Sequence, residues 1–216
     1  MKSVNIPIAQ SSPYRTTSGR LYGAGQMAMV FSNMDTNDQS EWEPVVKAML
    51  SDRYMILTYD YLEHIEDQSR TLEDVVSFII EAGAKRIILV GASRGGVASI
   101  KAAARNSDND SIVGVVALSA PIEYEGTVFY HNHELSSIRI PKLLINSEDD
   151  DGANDTRKMF DLFEGPKELL FYPGNAHGTE LFHTERESIL QIRGFAESVF
   201  AAYALDGQAA GGKLTR

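Results

Sequence analysis

The sequence predicts an α/β domain: an open, mostly parallel central sheet with helices on both faces. Three observations carry that expectation. From Gln26 onward, short apolar runs alternate with longer amphipathic segments, the pattern of repeated strand–helix units. One run, Ile87-Ile88-Leu89-Val90, passes directly into Gly91-Ala92-Ser93-Arg94-Gly95 and then into a helix-forming stretch, Val97 to Arg105. Residues 1–25 contain Pro7, Pro13 and Gly19 and no helical periodicity, so they predict one or two antiparallel strands at the edge of the sheet.

The elements follow in order. Met27–Phe31 is a strand. Ser40 reads as the N-cap of a helix, with Glu43 completing a capping box and Val45, Val46, Met49 and Leu50 at helical spacing. Tyr54–Tyr59 is a strand, and Thr71–Ala82 a helix with Gly83 just past its end. Arg86–Val90 (strand), Gly95–Arg105 (helix), Ile112–Leu118 (strand) and Lys142–Ile145 (strand) come next. Asp155–Phe163 is helical and stops at Gly165-Pro166, Glu168–Tyr172 is a strand, and Thr184 caps a last helix reaching about Tyr203.

The bulk properties bound the answer. A chain of 216 residues, 43% hydrophobic and 23% charged, can bury one substantial core, so 1–205 is expected to be a single domain. Residues 206–216, with Gly207, Gly211 and Gly212, predict a disordered tail. With no cysteine, disulfides and thiolate metal sites are excluded. Lys+Arg 20 against Asp+Glu 30 gives a net charge of −10 without a basic cluster, which argues against nucleic acid or an anionic membrane as partner. No signal-like or spanning apolar stretch stands out, so a cytoplasmic protein is expected.

A parallel strand ending in Gly-x-Ser-x-Gly before a helix is the layout of a nucleophile elbow. The tight turn strains the serine backbone, demands small flanking residues, and lifts Ser93 Oγ clear of the sheet. Chemistry in such sheets gathers at the carboxyl ends of strands. After Leu143–Ile145 comes Asn146-Ser147-Glu148-Asp149-Asp150-Asp151-Gly152, and after Leu169–Tyr172 comes Pro173-Gly174-Asn175-Ala176-His177-Gly178. Serine, then aspartate, then histidine gives each a task. His177 takes the serine proton, and an aspartate fixes the imidazole tautomer and stabilises the imidazolium.

From about Met27 to Ala201 the chain resembles the α/β-hydrolase fold family, especially its small bacterial members without a cap domain. The resemblance is carried by Ser40-Glu41-Trp42, Leu89 to Gly96, Val115 to Pro121, and Tyr172 to Gly178. In that family the acid stands three residues beyond a small residue closing the strand; counting from Ser147 selects Asp150, with Asp149 and Asp151 one step off and open as alternatives. The resemblance also implies an oxyanion hole of two backbone N–H groups, from Arg94 and from Met34 or Asp35. Asn33-Met34-Asp35 stands where many members carry His-Gly-x, which removes a glycine's freedom from the second donor. Asp60 falls in an Asp-x-Arg-Gly position of relatives and reads as a structural hydrogen-bonder.

The expected activity is hydrolysis of small to medium soluble carboxylic esters through an acyl-enzyme, with no cofactor and no metal. A thioesterase, amidase or peptidase would use the same triad, and a non-catalytic binding protein is the rival from another class. The roughly 20 residues from Pro121 to Pro141 are too few for a lid domain. His131-Asn132-His133 lacks a third ligand at defined spacing, so the pair is expected near the site mouth and not around a metal. The acidic run from Glu148 departs from a calcium loop, since Lys158 stands where a glutamate is needed. Trp42 and Met49 read as core. The Arg94 side chain is expected to pair with an acid such as Asp35 or to meet an anionic substrate.

Overall fold

Residues 1–9, 11, 15–34, 38–50, 53–62, 67–106 and 110–211 are described by a computed structural model, with side chains described as far as residue 204. β1 (Lys2–Ile8) and β2 (Arg15–Tyr22) pair antiparallel, and each buries alternate residues (Ile6 and Ile8; Thr17 and Gly19). That period of two is what a sheet margin with one solvated face requires. β3 (Met27–Ser32) is buried almost throughout, as befits a strand covered on both faces. A short 3-10 turn, Gln39–Trp42, leads into α1 (Glu43–Met49), followed by β4 (Tyr54–Tyr59) and α2 (Gln68–Glu81).

The centre of the molecule is β5 (Arg86–Ala92), α3 (Arg94–Arg105) and β6 (Ile112–Leu118), the last fully buried. A two-stranded hairpin, β7 (Glu123–Tyr124) and β8 (Thr127–Val128), and the short α4 (Asn132–Ser137) occupy the stretch between Pro121 and Pro141. No cap domain is inserted there. β9 (Lys142–Ser147), α5 (Ala153–Leu162), β10 (Lys167–Tyr172), α6 (Leu181–Thr184) and α7 (Glu187–Gly211) complete the chain.

The eight-stranded sheet runs β1-β2-β4-β3-β5-β6-β9-β10; the β1–β2 and β2–β4 pairings are antiparallel and the other five are parallel. Side-chain alternation along β5 feeds both faces. Ile88, Val90 and Ala92 join a core with Trp42, Val46, Phe182 and Phe195, while Ile87 and Leu89 face Leu72, Val75, Ala98 and Ala102. Trp42 is fully buried between Phe31 and Phe182, with ring centroids 5.0 and 5.6 Å away, and Met49 lies in the same cluster.

Several boundaries differ from the sequence expectation. Asp38, not Ser40, caps the first turn: its carboxylate accepts the Ser40 N–H at 2.8 Å. Glu43 closes no capping box; it pairs with Lys47 one turn on. α2 begins three residues early because Asp67 accepts the Ser69 N–H. α5 begins at Ala153, and Thr184 ends α6 without capping α7. α7 continues past Tyr203 to Gly211, into the segment expected to be irregular; 212–216 lie outside the described residues.

Candidate active site

Ser93 sits between β5 and α3 with φ 47° and ψ −113°, a conformation that L residues adopt only under constraint. The constraint is visible on both sides. A Cβ on Gly91 would lie 2.1 Å from the Gly95 carbonyl oxygen, and one on Gly95 would lie 2.1 Å from the Ser32 carbonyl oxygen. Neither glycine has positive φ, so both are needed for close backbone approach. The Ser93 N–H is held by the Leu118 carbonyl at 2.7 Å, tying the elbow to the neighbouring strand.

β9 and β10 end level, with Ser147 opposite Tyr172, so their loops leave side by side. The Asp149 N–H bonds the Gly174 carbonyl at 2.9 Å, and Ser147 Oγ donates to the Ala176 carbonyl at 2.6 Å. These ties bring His177 Nδ1 to 2.6 Å from Asp150 Oδ2. Asp150 is 7% exposed, whereas Asp149 and Asp151 point to solvent, which decides among the three carboxylates. Burial pushes the Asp150 carboxyl up, but the His177 ring, the Gly152 N–H and the Asn146 amide outweigh it and hold the pKa below the ordinary value. An ionised Asp150 only accepts, so His177 donates from Nδ1 and its Nε2 carries the basic lone pair. Ser93, Asp150 and His177 all line one cavity of about 1150 Å³, open beside the β7–β8 hairpin.

Solved structures share this arrangement of chain. An esterase from Pyrococcus furiosus superposes with TM-score 0.75 at 17% identity, covering 92% of this chain and 90% of that one. A bromoperoxidase from Bacillus anthracis gives 0.72 at 14% identity, over 91% and 100%. A monoacylglycerol lipase from Paleococcus ferrophilus gives 0.70 at 15% identity, over 84% and 98%. This is the α/β-hydrolase fold. No family model and no curated protein sequence matches the chain, so the likeness lies in the fold alone.

On the α/β-hydrolase frame, Arg94 opens α3, where the helix presents backbone N–H groups and its positive end. Met34 is different from expectation. Its N–H donates to Glu41 Oε1 at 2.6 Å, so in this structure that dipole is turned to a carboxylate. Asp35 lies outside the described residues, and so does its suggested pairing with Arg94; the Arg94 guanidinium lies over the Tyr61 ring, 5.7 Å from its centroid. Asp60 is a structural acceptor, taking Gln39 N and Nε2 at 3.0 Å each. His131 precedes α4 and its ring stacks on that of His133, centroids 5.7 Å apart; neither lines the cavity.

Two polar residues of the site were invisible to sequence reasoning. Ser119 and Asn146 are buried at strand ends and contact the acid–base loops. The one signal for Ser119 is its place one residue past the apolar run Val115–Leu118.

Proposed function

We propose that the protein is a serine hydrolase acting on carboxylic esters. The observation that carries the proposal is the strained Ser93 elbow sharing one cavity with a histidine whose Nδ1 is bonded to a buried, ionised aspartate. Ser93 Oγ attacks the acyl carbon while His177 Nε2 takes its proton, giving a tetrahedral oxyanion beside the Arg94 N–H at the start of α3. Collapse expels the alkoxide, which leaves as alcohol with the proton from His177. Water then attacks the acyl-enzyme, with the same imidazole accepting and returning one proton, and the carboxylic acid departs. Asp150 stays ionised throughout and stabilises the imidazolium. Thioesters and amides would follow the same path, and the machinery does not itself separate them. Esterases and a lipase among the structural neighbours are consistent with the ester reading.

A non-catalytic binding protein is the second reading, favoured by the Met34 N–H that Glu41 occupies. One experiment separates the two. A fluorophosphonate probe is expected to label the wild type and not Ser93→Ala, and p-nitrophenyl butyrate turnover is expected to vanish with the same substitution. A wild type that takes up no probe supports the binding protein instead.

A further inference from the structure

We infer that Ser119 and Asn146 are positioning residues for the acid–base pair, an inference that rests on reading Ser93, His177 and Asp150 as a hydrolytic triad. β6 lies between β5, which delivers Ser93, and β9, which delivers Asp150. The residue just past its end is Ser119, 1% exposed and, like Ser93, at φ 47°. That backbone costs about 1–3 kcal/mol for a residue with a Cβ, so something must hold it. Its Oγ accepts the Gly178 N–H at 2.9 Å and donates to Asn146 Oδ1 at 2.7 Å.

Asn146, fully buried, has both side-chain polar atoms bonded, to Ser119, to the acid's loop and to α5. Oδ1 also accepts the Ser147 N–H at 2.8 Å, and Nδ2 donates to Thr156 Oγ1 at 2.9 Å and to Asp150 Oδ1 at 3.3 Å. A closed circuit results: His177 to Asp150, Asp150 to Asn146, Asn146 to Ser119, Ser119 to Gly178, and Gly178 by a peptide bond back to His177. The hydroxyl fixes the peptide that follows the imidazole, while the amide fixes the carboxylate behind it. Neither group need touch substrate to set where Nε2 points. β6 is apolar throughout up to Leu118, so packing alone would have been met by alanine at the next position. A buried polar circuit with its members satisfied gives a unique arrangement, which an apolar strand end would not.

The test measures kcat per fluorophosphonate-titrated site, and KM, with p-nitrophenyl butyrate. Ser119→Gly removes the hydroxyl and tolerates the positive φ, so it is the primary variant; Asn146→Leu is the second. Each is expected to lower kcat about 10- to 100-fold with KM within about twofold of wild type, the signature of a displaced catalytic group. In an Asp150→Ala background the same substitutions are expected to cost less than about threefold, because residues acting through one pair are not additive. Wild-type kcat in Ser119→Gly, or equal losses in both backgrounds, overturns the inference while Ser93 labelling keeps the triad reading intact. A wild type that is neither labelled nor active overturns both.

Discussion

Asp150 shows how one residue is selected from a run of like residues. Asp149, Asp150 and Asp151 are chemically identical, yet only Asp150 turns inward, where Gly152 N–H meets Oδ1 at 2.7 Å and His177 meets Oδ2. Its lowered pKa has a stability consequence whose sign is fixed. A carboxyl titrating lower when folded favours the native state fully above the ordinary range, about 3.9, and loses that contribution as pH falls through the folded value. Asp150→Asn is therefore expected to destabilise the protein at pH 7, with the gap to wild type in urea melts closing as pH drops from about 5 to 3. The same variant is expected to lose about 10⁴-fold in kcat, since an amide oxygen no longer holds the imidazolium and an amide donor favours the wrong tautomer. An unchanged kcat would remove Asp150 from the triad.

At the scale of elements, β9 carries both a functional end and a structural one. Its first residue, Lys142, is 1% exposed, and its Nζ donates to the carbonyls of Ile138 and Glu164. Burial, with Lys167 and Arg139 nearby, lowers its pKa to about 8. The unfolded chain keeps that proton to about 10.4, so stability gains from this group as pH rises between the two values. Lys142→Met is expected to flatten that rise, read as the wild-type-minus-variant difference in denaturation midpoint at about pH 8 and pH 10; a difference independent of pH would contradict it. The elbow and the strands were legible in the sequence because each depends on neighbouring residues, an apolar run and two obligatory small positions; the count from Ser147 to Asp150 comes from the resemblance to the α/β-hydrolase family, with Asp149 and Asp151 left open. Where the reading failed, distant groups decide. Ser40 lost the cap to Asp38 because buried Gln39, one residue away, is clamped by Asp60 and by Thr58 Oγ1 at 2.7 Å. Met34 N–H is taken by a carboxylate seven residues on, and Ser119 meets partners 27 and 59 residues away. No local window contains those facts.

For the whole molecule, the net charge of −10 is also felt at the cavity. Glu123, Glu125, Asp149 and Asp151 line it, against Arg94 and Lys101. Their summed field repels anions and is screened by salt. Among esters matched in size, those bearing a carboxylate are expected to show kcat/KM about 10-fold or more below neutral or ammonium-bearing ones, with the gap narrowing as ionic strength rises. Equal rates at low salt would show that the rim carboxylates do not select. The order in which strands join the sheet has one last consequence. Ser93 belongs to the first half of the chain, whereas the groups that make it reactive follow β9 and the marginal strand β10: Asp150 lies 57 residues later and His177 lies 84 later. On the proposed chemistry, a nascent or half-assembled chain holds an inert alcohol, and nucleophilicity switches on only when the final edge of the sheet zips into place.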